Sequence, residues 1–181
     1  MKIMIASDVH GSSYYAEKIK QTFDKEGAEL LVLLGDIYNP GPRNPIENVR
    51  EYAPLKVADT LNSLKDRLLV IKGNCDSQVD TLISQFHFVE EGAIVDGGKR
   101  ITLTHGHVFD KDNLPFSCGD VLIYGHVHTG FIIKKGGVTV ANPGSVTLPK
   151  DGTAHSYLIL ENGVLTLKDI HGGNVLAQEK I

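Results

Sequence analysis

Two cysteines among 181 residues, Cys75 and Cys118, are too few for a disulfide framework and match no zinc-motif spacing. They suit a reducing compartment. No basic run stands out and the net charge is −4, which argues against nucleic acid read by sequence as the partner. No apolar stretch approaches the roughly 18 residues of a membrane span, and no basic segment leads into one near Met1. A soluble, cytoplasmic protein with no membrane partner is therefore expected. Internal repeats, low-complexity tracts and a domain boundary are missing too. A single domain over residues 1–181 is expected, long enough to bury a substantial core. Whether it forms a homo-oligomer stays open.

What the chain does have is five apolar runs that each end in a metal-binding side chain. Lys2–Ala6 leads into Ser7-Asp8-Val9-His10-Gly11, and Leu30–Leu34 into Gly35-Asp36. Leu68–Ile71 leads into Lys72-Gly73-Asn74, Ile101–Leu103 into Thr104-His105-Gly106, and Val121–Tyr124 into Gly125-His126-Val127-His128. If the runs are neighbouring strands, their ends converge and seven donors meet at one edge of a sheet. Mixed carboxylate and imidazole donors suit Mn²⁺, Fe, Co or Zn better than Mg²⁺ or Ca²⁺. Seven exceed the three or four ligands of one catalytic zinc. A shared Asp36 would hold two ions about 3.5–4 Å apart, the spacing of two-metal hydrolases.

Each block alone has a plainer reading. Asp-x-His after a strand is commonly a turn and cap, Gly-Asp is a common loop pair, and His126 with His128 could be a surface pair. Chance is a poor account of all five at once.

The first half alternates strand and helix. Tyr14–Lys25 carries Ile19 and Phe23 among charges, with Ser12 or Ser13 as cap, and Ala53–Leu64 is amphipathic. Residues 39–45 hold three prolines and must form a loop, and Ser77–Ser84 reads as a short helix. The second half is mostly strand, with hairpins around Gly97-Gly98 and Gly136-Gly137 and further turns at Asn162-Gly163 and Gly172-Gly173. An α/β half followed by a β-rich half predicts two packed sheets with helices outside.

Asp8-Val9-His10, Gly35-Asp36-Ile37-Tyr38-Asn39, Gly73-Asn74-Cys75-Asp76, His105-Gly106 and Gly125-His126-Val127-His128 resemble, in order, the blocks of the calcineurin-like metallophosphoesterases. Gly41-Pro42-Arg43-Asn44 and Asn142-Pro143-Gly144-Ser145 look most like the small bacterial YfcE-type phosphodiesterases. The resemblance implies a four-layer α-β-β-α sandwich of two mixed sheets. It implies Asp8, His10, Asp36 and His128 on one metal and Asp36, Asn74, His105 and His126 on the other. Mn²⁺ is the first expectation, with Ni, Co, Fe or Zn as alternatives. The implied activity is hydrolysis of small phosphodiesters by a metal-activated water, with Asn74 and His105 as catalytic residues.

One position departs from the pattern. Many members carry His after the Asn, where it can protonate the leaving oxygen; here the residue is Cys75. A thiol of ordinary pKa is a weak substitute, so Cys75 is expected to be a small buried hydrophobe. Asp76 is expected either to hydrogen-bond the site or to cap the next helix, and Arg43 to meet a phosphate or simply water. His107 is expected not to ligate, with its contact with the site left open, and His87, His155 and His171 are expected away from the site. Two competing readings remain: a phosphomonoesterase or nucleotidase with the same centre, and a scaffold like the retromer's phosphoesterase-like subunit. Retention of all seven donors favours the enzyme.

Overall fold

The computed structural model describes residues 1–181. The chain runs β1 (Ile3–Ala6), α1 (Ser13–Glu26), β2 (Leu30–Leu33), α2 (Pro54–Asn62), β3 (Leu68–Ile71) and β4 (Phe88–Val89). It continues through β5 (Gly92–Asp96), β6 (Lys99–Thr104), β7 (Val121–Tyr124), β8 (Gly130–Lys135) and β9 (Val138–Pro143). The last strands are β10 (Ser156–Glu161), β11 (Val164–Asp169) and β12 (Val175–Lys180).

Two mixed sheets result, in the orders β12-β11-β10-β1-β2-β3-β4 and β5-β6-β7-β9-β8. In the first, β1, β2, β3 and β4 are mutually parallel and β10 to β12 antiparallel. In the second, β6, β7 and β9 are parallel, flanked by antiparallel β5 and β8. The parallel strands β1, β2, β3 and β7 are continuous apolar runs because both their faces are covered.

Alternate side chains point to opposite faces, which explains why each strand feeds two cores. Ile3, Ile5, Val32, Leu34 and Ile71 meet Ile101, Leu103, Val121, Ile123 and Ala141 between the sheets. Met4, Ala6, Leu31, Leu33 and Val70 face outward onto Tyr15, Ala16, Ile19 and Phe23 of α1 and Val57, Ala58 and Leu61 of α2. Ser12 starts α1 by accepting from the Tyr15 N–H at 3.3 Å, and Gly27 ends it in the left-handed region. Pro54 starts α2 at a position that needs no N–H donor.

Over the second sheet the outer layer is irregular. Leu122, Tyr124 and Val140 pack beneath Cys118 and Leu114, which belong to the loop between β6 and β7. Ser77–Ser84 contains a 3₁₀ turn, Gln78–Leu82, instead of an α-helix; Ser77 and Asp80 cap it reciprocally within a segment too short to propagate α-helix.

The five apolar runs do not share one sheet, which corrects the expectation of a single edge. β1, β2 and β3 lie in the first sheet, β6 and β7 in the second. Packing the sheets face to face brings the C-terminal ends of both sets together.

Candidate metal centre

The residues that follow these strands turn sharply. Asp8, His10, Asp36, His126 and His128 all have positive φ, between 50° and 66°. Left-handed backbone at a non-glycine residue costs on the order of 1 kcal/mol or more. Five such residues are costly against a domain's margin of about 5–15 kcal/mol, so the surroundings must hold them. The backbone ladder continues past the strands, with Asp8 N donating to Gly35 O at 3.1 Å and His10 N to Asp36 O at 2.9 Å. The segment after β9 clamps the same loops. Ser145 Oγ donates to Asp8 O at 2.8 Å, Thr147 Oγ1 to Val9 O at 2.7 Å, and Asn142 Nδ2 to Gly125 O at 2.6 Å.

Three imidazoles are oriented by main-chain carbonyls. Nδ1 of His10 donates to Asn39 O at 2.9 Å, that of His128 to Leu148 O at 2.8 Å, and that of His105 to Leu34 O at 2.6 Å. These bonds place a proton on Nδ1 and turn each Nε2 inward. The Nε2 atoms of His10 and His128 are then 3.0 Å apart, and each lies within 3.7 Å of Asp8 Oδ1. That carboxylate oxygen is fully buried and has no hydrogen-bond partner, while Oδ2 accepts from His126 N at 3.1 Å. Two imidazole nitrogens and a carboxylate oxygen thus converge, the oxygen with no hydrogen-bond partner.

A second group repeats the pattern. His105 Nε2 lies 3.1 Å from Asn74 Oδ1, 3.2 Å from His126 Nδ1 and 3.5 Å from Asp36 Oδ1. Asn74 Nδ2 donates to Cys75 Sγ at 3.3 Å, which turns the amide oxygen inward. Donor atoms of Asp8, Asp36 and His105 lie within 4.8 Å of one another and join the two groups. Burial lowers the pKa of His10 and His126, which disfavours protonating these two rings. Burial opposes ionisation of Asp8, but the His128, His105 and His10 rings outweigh it and hold the carboxyl far below the usual range. Lone pairs at these separations repel unless a cation lies among them, so this donor set fits a divalent metal.

Close backbone approach is required at two glycines. A Cβ on Gly73 would lie 2.1 Å from Asp36 Oδ1, and one on Gly125 would lie 2.0 Å from Ser7 Oγ.

All seven predicted donors meet here. Asp76 is beside them and does not cap the following turn, a role filled by Ser77 and Asp80. Its buried carboxylate accepts from Asp36 N and Ile37 N at 2.8 Å and from Gly73 N at 2.7 Å, tying the β2 and β3 loops together. Burial and the Asp36 charge push its pKa up to about 6, against the downward pull of these bonds.

Cys75 is not a core residue as expected. It is half-buried on the wall of the cleft, its N–H donating to Asp36 Oδ1 at 2.8 Å. Burial and the Asp36 carboxylate push the thiol up to about 12, so it stays protonated. Arg43 lines the same cleft from loop 39–45. Exposed His107 places its ring 5.4 Å from that of His105. His155 and His171 lie elsewhere, with His155 stacked on Tyr15 at 4.7 Å, and exposed His87 lines a different groove. Sequence reading passed over Lys150, which lines the cleft with no motif to mark it. It also passed over the carbonyls of Leu34, Asn39 and Leu148, since any residue could supply them.

Residues 1–163 match the family model of the calcineurin-like phosphoesterase superfamily domain. The chain is 40% identical over 183 residues to phosphodiesterase YfcE of Escherichia coli (strain K12), covering 100% of this chain and 98% of that protein. The solved structure of Yfce, a phosphoesterase from E. coli, superposes with a TM-score of 0.95 at 39% identity, with 100% of both chains covered. Vps29 of Chaetomium thermophilum, at 18% identity, has the same fold with a TM-score of 0.66 over 100% of this chain and 97% of its own. This chain belongs to the calcineurin-like phosphoesterase superfamily.

Proposed function

We propose that the chain is a phosphodiesterase that hydrolyses small phosphodiesters at a dinuclear centre, with Mn²⁺ as its activating ion. Asp8, His10, Asp36 and His128 would hold one ion, and Asp36, Asn74, His105 and His126 the other. The observation that carries this reading is the pair of donor groups at the strand ends, above all the Nε2 atoms of His10 and His128 3.0 Å apart beside the unpartnered Asp8 oxygen. When bound, two divalent ions lower the pKa of water and neutralise charge on a phosphoryl group.

The chain's own residues supply positioning. His10, His105 and His128 are oriented by Nδ1 bonds to carbonyls, which turn each Nε2 inward. Asn74 Nδ2 has only the weak thiol acceptor and can exchange it for a phosphoryl oxygen as charge develops there. Cys75, with its raised pKa, is a poor proton donor, so the departing oxygen must leave with little help from the protein. That favours diesters of good leaving groups over diesters of poor ones. Two free thiols support a reducing, cytoplasmic setting.

The test is metal analysis together with hydrolysis of a bis-aryl phosphodiester. Exhaustive EDTA treatment should abolish turnover, and Mn²⁺ should restore it at two ions per chain. Saturation at one ion, or full activity after chelation, would overturn the dinuclear reading.

A further inference from the structure

The cleft in front of the centre has two unlike arms. One is lined by Asn74, His126 and His128 and, at its mouth, by Arg43 and Lys150. Both of these cations are exposed, neither forms an ion pair, and Asp36 is the one carboxylate that lines this arm. In a chain of net charge −4 they form a local positive mouth without an internal counter-ion. The other arm shares Pro40, Gly41, Pro42, Asn74 and Cys75 with the first, adds Asn39 and Ile46, and carries no charged side chain.

The dividing loop is held in place. Asn39 Oδ1 accepts from Gly41 N at 2.8 Å, and Asn44 Nδ2 donates to Pro40 O at 2.7 Å. Asn39 O in turn accepts from His10, so the loop is fixed to the metal centre itself. Gly41 has a φ of 74°, and a Cβ there would meet Cys75 Sγ at 2.7 Å. Both arms therefore keep a set position relative to the phosphoryl site, which lowers the ordering cost of binding.

Charge separates the roles of the arms. Two divalent ions against the Asp8 and Asp36 carboxylates would leave a net charge of about +2, which a singly charged diester and a hydroxide nucleophile balance between them. Arg43 and Lys150 are not needed to neutralise the scissile group. We propose that Arg43 and Lys150 form a subsite for a second anionic group of the substrate, while the Pro40–Pro42–Ile46 wall takes an uncharged arm. The preferred substrate is then an unsymmetrical phosphodiester with one arm ending in a phosphate and the other apolar or planar. This rests on reading the centre as that of a phosphodiesterase.

Two diesters with the same nitrophenyl leaving group test it with the Mn²⁺-loaded protein: one has a methyl second arm, the other a second arm ending in a phosphate. Wild type should prefer the phosphate-bearing diester in kcat/KM, mainly through KM, and high salt should erode that preference. Arg43→Ala and Lys150→Ala should each lower the ratio of the two kcat/KM values about tenfold, as expected for loss of a charge-assisted contact. Arg43→Lys should restore part of it. Calorimetric titration of inert phosphonate analogues with the same two second arms should show the same ratios without turnover. Ile46→Glu should lower binding of an analogue with an aryl arm more than of one with a methyl arm. Equal loss for both diesters in the alanine variants, or no wild-type preference, would overturn the subsite. If wild type hydrolyses neither diester while holding two ions, the phosphodiesterase reading itself fails.

Discussion

Positive φ occurs at both ends of this molecule, with opposite causes. At the hairpin ends it belongs to Gly97-Gly98, Gly136-Gly137 and Asn162-Gly163, residues that take it cheaply in turns. At the other ends of the strands it falls on Asp8, His10, Asp36, His126 and His128, which take it at a cost. Charges divide in the same way. Far from the centre, Glu26 is met by Lys2, Lys168 and the Tyr157 hydroxyl, whereas Asp8 Oδ1 is buried with no partner. One end is arranged for its own stability. The other retains strain and unpaired acceptors, held there by hydrogen bonds from a neighbouring shell.

The comparison predicts its largest effect inside the acceptor groups. Asp36→Asn removes a charge that faces both, and it should reduce metal content and turnover by more than the roughly 100-fold upper cost of losing a supporting partner. His107→Ala, on the exposed rim, should be milder. Near wild-type turnover and metal content in Asp36→Asn would remove the distinction between the two ends.

Cys75→His sharpens the account of how the leaving oxygen departs. Without a protein acid, kcat/KM of wild type should fall steeply as leaving-group pKa rises. An added imidazole, if it packs against Gly41, should raise turnover on poor leaving groups by up to about 100-fold, and less on good ones. A flat slope for wild type across graded diesters would show that protonation is already supplied.

Asp76→Asn tests the supporting shell. Asparagine offers one acceptor oxygen where the carboxylate serves three N–H groups of the β2 and β3 loops. Metal affinity should fall about 10–100-fold while the fold persists. Unchanged affinity in a metal titration would mean that the Ser145, Thr147 and Asn142 clamps hold the loops alone.

These residues also mark how far the sequence could be read. Strands, both helices and the seven residues that converge at the strand ends were legible because apolar runs, caps and chemically distinctive side chains leave local signals. That the runs divide between two sheets was not, since a buried parallel strand reads the same in either. Asp76 was visible as a polar residue of the right block, but its three bonds depend on two loops meeting. Cys75 was misjudged as core because burial depends on the neighbouring loop 39–45, not on the thiol. Lys150 carried no signal at all, because an exposed lysine acquires meaning only from the cleft it borders.

The smallest effect belongs to the far end, where Glu26→Gln should cost stability and leave metal binding intact. Burial pushes the Glu26 carboxyl up, but Lys168, Tyr157 and Lys2 outweigh it and bring its pKa down to about 2 from an ordinary 4.5. A depressed carboxyl stabilises the fold at pH above its unfolded value, and this contribution is lost as pH falls from about 4.5 toward 2. The group is partly solvated, so the gap between wild type and variant should be about 1 kcal/mol near neutral pH, below the full value of a buried pair. It should narrow toward zero at about pH 2–3, where the wild-type carboxyl takes up its proton. Urea unfolding of both proteins at the two pH values measures this, and the difference cancels the titration of every carboxyl they share. A gap of the same size at both pH values would assign the effect to packing instead of charge, and the far end would lose its claim to be the electrostatically satisfied half of the comparison.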